Sequence, residues 1–84
     1  MGRYFFHLHD GRRLLEDYEG REFRSSEEAA AYAIVNARDV MSGEIRRGHL
    51  DLTWYILITE HSDDVVDQIS FADAVVVRVP DRRT

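Results

Sequence analysis

The chain has 84 residues and no cysteine, which excludes disulfide staples, thiolate zinc sites and thiol nucleophiles. It also has no lysine: all 11 basic residues are arginine, against 16 carboxylates, for a net charge of −5. That acidic balance lacks the basic footprint expected of a non-specific nucleic-acid or anionic-lipid binder. No apolar run approaches the roughly 20 residues of a membrane span. The opening M-G-R-Y-F-F-H has neither the apolar core nor the small-residue cleavage site of a signal peptide. The expectation is a cytoplasmic domain with no membrane association. There is one proline, no Pro- or Gly-rich linker, no repeat and no low-complexity segment. One domain is therefore expected over residues 1–84, with its core in 3–79 and a loose tail at 80–84. A chain this short buries only about 60% of its unfolded surface, so a partner is a common remedy.

What is present reads as an α+β domain in the order β-β-α-β-β. Residues 3–9 alternate, with Tyr4, Phe6 and Leu8 on one side and Phe5, His7 and His9 on the other. Asp10-Gly11 is a two-residue hairpin signal, since both positions tolerate positive φ. It returns the chain along residues 12–17, with His7 opposite Leu14 and Phe6 opposite Leu15. Asp17-Tyr18-Glu19-Gly20 reads as a turn, and Arg21–Phe23 as a short extended piece.

Ser25-Ser26-Glu27-Glu28 is a capping box, with its glutamates at the positive end of the helix dipole. Ala30, Ala33, Ile34, Ala37, Val40, Met41 and Ile45 then follow a helical period. Arg46 and Arg47 suit the negative end of the dipole, and Gly48 suits the position just past the helix. Gly43 predicts fraying or bending after Met41. Residues 52–60 form the most apolar strand, with Leu52, Trp54, Ile56 and Ile58 facing one side and Thr53, Tyr55, Leu57 and Thr59 the other. Ser62-Asp63-Asp64 turns the chain into a strand at 65–70. Phe71–Ala74 interrupts it, and Val75–Val79 is an optional last edge strand.

The strings R-Y-F-F-H-L-H-D-G, D-Y-E-G-R-E-F, S-S-E-E-A-A and S-F-A-D-A-V occur in that order. Together, over about residues 3–77, they resemble a small bacterial family of domains of unknown function. Its members open on R-Y-F-F-H, carry a D-x-x-G turn before the helix and end near F-A-D-A. The chain departs from the pattern at Asp63-Asp64, where an Asp-Gly type turn is usual. The resemblance implies no activity, cofactor or catalytic residue.

One helix covers one face of a sheet. The other face still carries Phe5, His7, Leu14, Tyr55 and Leu57, and small proteins seldom leave such a patch bare. These five residues are the expected interface of a non-catalytic interaction or regulatory module, most simply a homodimer, with another protein as the other occupant. Tyr55 suits a contact with one wet edge, while Trp54 is expected in the core beneath the helix.

Two alternatives follow from the polar residues. His7-x-His9 projects two imidazoles from one strand face and is a candidate metal pair, though the spacing matches no zinc signature and Asp10 already has a use as the turn former. Arg12, Arg13, Arg46 and Arg47, with a further doublet at Arg82-Arg83, would bind phosphate or nucleic acid if they converged. No cofactor is expected. Catalysis is not expected either: there is no G-x-S-x-G elbow, and Asp17, Glu19 and Glu22 read as solvated turn residues.

Overall fold

The computed structural model describes residues 1–61 and 64–81. Strand β1 (Gly2–His9) is the hub of a five-stranded antiparallel sheet. Strands β2 (Leu14–Leu15) and β3 (Arg21–Phe23) both pair with it, while β4 (Tyr55–Glu60) flanks it on the other side and β5 (Asp64–Ser70) follows β4. Helix α1 (Ser26–Arg46) covers one face, and a short helix α2 (Phe71–Ala74) closes one end. The expected α+β class and strand–helix order hold.

The helix owes its ends to local chemistry. Ser25 Oγ accepts the Glu28 amide at 3.2 Å, and the Glu28 carboxylate reaches back to the Arg24 amide at 3.0 Å, one residue before the cap. At the other end, Gly48 has φ 79°, its amide donates to the Ile45 carbonyl, and the His49 amide donates to that of Glu44. These are the two crossed bonds of a Schellman motif. The helix runs on through Gly43 to Arg46, so the expected fraying after Met41 does not occur.

The buried ridge of α1 is Ala29, Ala33, Ala37 and Met41, an i, i+4 row that begins one residue before the expected Ala30. Small side chains let the helix approach Tyr4, Phe6, Ile56 and Ile58 beneath it. An aromatic group of Phe6, Phe23 and Tyr32 fills one end, with Phe6 and Tyr32 centroids 4.9 Å apart edge-to-face. At the other end Phe71 is 1% exposed and packs 5.9 Å from the half-buried Trp54.

Several expected boundaries move. The first hairpin has a four-residue connection, Asp10–Arg13, not a two-residue one: Asp10 Oδ1 accepts the amides of Arg12 and Arg13, and the Asp10 amide donates to the Arg13 carbonyl. Leu14 therefore pairs with His9, not His7, and Leu15 with Leu8, not Phe6. The slip is two residues, so every side chain keeps its face. The expected strand over 12–17 shrinks to two residues, and that over 52–60 begins at Tyr55, because Asp51 Oδ1 takes the Thr53 amide and hydroxyl and holds 51–53 in a turn. The optional strand at Val75–Val79 does not form, and the fifth strand is β3. The turn expected at Ser62–Asp63, the Arg82-Arg83 doublet and the end of the tail lie outside the described residues.

Candidate functional site

The sheet face opposite α1 carries the odd-numbered residues of β1 and β4. Across the strands Phe5 pairs with Thr59, His7 with Leu57 and His9 with Tyr55, and Leu14 extends the row from β2. On β5 the partner of Thr59 is Val65, 61% exposed. Phe5, Tyr55 and Leu57 are half-buried and Leu14 is exposed, so four of the five expected interface residues line one accessible, largely apolar surface. The rings on it are ordered in advance: His9 stacks on Tyr55 with centroids 4.7 Å apart and planes 8° from parallel.

His7, the fifth, is different. It is only 9% exposed, and both ring nitrogens have partners. Nδ1 accepts the backbone amide of Asp17 at 3.1 Å, and Nε2 lies 3.0 Å from Thr59 Oγ1. His7 holds the edge of this face together and contributes little surface to it.

The loop between β2 and β3 is built around Asp17. Its Oδ2 accepts the Phe6 amide at 3.2 Å, standing in for a strand partner that β1 lacks there, and its Oδ1 accepts the amides of Glu19 and Gly20. Gly20 has φ 69°, and a Cβ there would come within 2.8 Å of the Tyr4 carbonyl oxygen, so this turn needs glycine. Burial pushes the Asp17 carboxyl up, but the amides of Gly20, Phe6 and Glu19, with the electrostatic influence of His7, hold it below its ordinary value. Asp17 is thus a half-buried structural acceptor and not the solvated turn residue expected; the D-x-x-G spacing was the signal for it.

Two clefts flank this loop. One, of about 440 Å³, lies on the helix side between Asp17, Glu19 and Tyr32, where the Arg21 guanidinium stacks 4.8 Å from the Tyr32 ring centre. The other, of about 200 Å³, lies on the open side between Phe5, His7, Tyr18 and His61.

The candidate metal pair has ring nitrogens already engaged. His7 is spent as described, and His9 Nδ1 accepts the Gly11 amide at 3.3 Å. Among the described residues no three His, Asp or Glu side chains are placed to share a metal ion. The hairpin tip that carries Arg12 and Arg13 and the segment just past Arg46 and Arg47 both approach Trp54. A Cβ at Gly11 would sit 4.0 Å from the indole nitrogen, and the His49 ring centre is 5.7 Å from that of Trp54. Carboxylates share this neighbourhood, since Glu44 pairs with Arg47 at 3.4 Å and with His49 at 3.0 Å.

Fold and site together define a small α+β domain with one sheet face under a helix and the other open. The chain belongs to the family described as a domain of unknown function, DUF6894, whose profile matches residues 3–72. No curated protein and no solved structure matches it. Among the described residues no helix is long and apolar enough to cross a membrane.

Proposed function

We propose that the domain is a non-catalytic protein–protein interaction module that self-associates through its open sheet face. The observation that carries this reading is the apolar row of Phe5, Leu14, Tyr55 and Leu57 on the face opposite α1. Removing such a row from water favours association at about 25 cal/mol per Å² before the cost of ordering is subtracted. The ionisable groups behind it support the non-catalytic part of the reading, because His7 and Asp17 are committed to backbone amides and Thr59. Sedimentation equilibrium at high micromolar concentration tests it. The wild type is expected to be dimeric, and Tyr55→Arg to weaken the dimer at least about tenfold, or roughly 1.4 kcal/mol, with the fold intact. A wild-type monomer would sink the proposal.

The second reading is a phosphate or nucleic-acid contact beside Trp54, favoured by the approach to it of the hairpin tip with Arg12 and Arg13 and of the segment just past Arg46 and Arg47. Its signature is affinity for an oligonucleotide that falls steeply with salt and is lost on Arg12→Glu.

A further inference from the structure

The buried ridge of α1 continues by one more i+4 step to Ile45, which is 58% exposed. Beside it runs a groove of about 470 Å³ with Met41 at its base and Ile45, Leu50 and Val75–Val77 along its walls. The charged residues lining it are both arginines, Arg38 and Arg46, although the chain as a whole carries −5. Arg78 follows on the same strap and is exposed.

The strap itself is unusual for a small domain. Val76, Val77 and Val79 are 81%, 54% and 74% exposed. Arg38 Nε anchors its start by donating to the Ala74 carbonyl at 2.7 Å, and Val75 is extended at φ −141°, ψ 162°. Beyond that, among the described residues, no backbone–backbone hydrogen bond involves residues 76–79. This is a β-branched sequence with strand propensity and a vacant ladder, lying beside an apolar concavity. It also falls outside the part of the chain that matches the family, which ends at residue 72.

We infer that the strap and groove are a docking site for an extended segment of another protein. That segment carries branched aliphatic side chains flanked by carboxylates. The backbone of the strap pairs with it as an added strand, a mode in which main-chain bonds give affinity and alternate side chains give specificity. Its aliphatic side chains enter the groove over Met41 and Ile45. Its carboxylates meet Arg46 and the N–H groups of Arg38 not used on Ala74, since a guanidinium has five donors and one is spent. A basic segment is disfavoured by the same two arginines. This site is separate from the open sheet face, so its fate does not depend on the dimer.

The test is selection from a random-peptide phage library against the full chain, followed by anisotropy titration of a labelled selected peptide. Enrichment of alternating Val, Ile or Leu with flanking Asp or Glu is expected. Ile45→Glu and Arg46→Glu should each weaken the peptide at least about tenfold, while Tyr55→Arg leaves it unchanged. Both helix residues are exposed, so neither change threatens the fold. Amide exchange at residues 76–79 should slow when the peptide binds. No enrichment, enrichment of basic flanks, or binding indifferent to Ile45→Glu would overturn the inference. So would a loss of self-association in Ile45→Glu, which would make a second copy the occupant.

Discussion

His7 has two ring nitrogens and two fixed partners. A backbone amide can only donate, so the bond from Asp17 makes Nδ1 the acceptor and leaves the proton on Nε2, where it donates to Thr59 Oγ1. Nitrogen-15 NMR should therefore find His7 as the Nε2–H tautomer at neutral pH, and an Nδ1–H tautomer would contradict this loop geometry. Asp17 carries the matching acid dependence. Its carboxyl is held below its ordinary value, so the folded state favours the carboxylate more than the unfolded chain does. That stability is fully present above the unfolded value, about 3.9, and is lost as pH falls through the lower folded value. Asp17→Ala should cost roughly 1–3 kcal/mol at neutral pH, the range for leaving a half-buried donor unpaired. It should also flatten the loss of stability as pH falls from about 3.9 through the lower folded value, read from urea midpoints.

Among the elements, α1 shows how much stability sits outside propensity. Its buried ridge is nearly all alanine, which contributes close approach and little area, so the burial comes from what the helix covers. Phe71 is the largest of these contributions at the α2 end, lying 1% exposed between the helix and Trp54. Phe71→Ala should cost about 3–5 kcal/mol, the usual range for emptying a filled aromatic site, and urea unfolding would measure it. The position follows the Ser70 cap, whose Oγ accepts the Ala72 amide, and nothing in that local pattern distinguishes a core anchor from an interrupted strand.

For the whole molecule, the sheet order β2-β1-β4-β5, with β3 also on β1, puts the longest strand at the centre. Among the described residues the buried hydrophobic core lies between the sheet, α1 and α2, and its last member is Ala74. A chain ended after Val75 should therefore unfold cooperatively, with stability within about 1 kcal/mol of the full chain. A molten product would mean that the strap has a structural part to play.

The sequence alone determined whatever is local. Ser25 and Glu28 mark the start of the helix and Gly48 its end, because caps act within four residues. The two faces of β1 and β4 were legible because strand side chains alternate strictly, and a register slip of two leaves that alternation intact. Phe5, Leu14, Tyr55 and Leu57 were placed on one face for that reason. Tertiary structure alone decided which polar groups on that face are spent. Asp17 is ten residues from His7, and Thr59 is 52 beyond it, so the first bond exists only once the chain has folded back along β1 and the second only once β4 pairs with β1. The Val-rich strap is the same kind of case. Its composition favours a strand, but a strand needs a paired neighbour, and within the described residues the fold lays the strap against none of the strands.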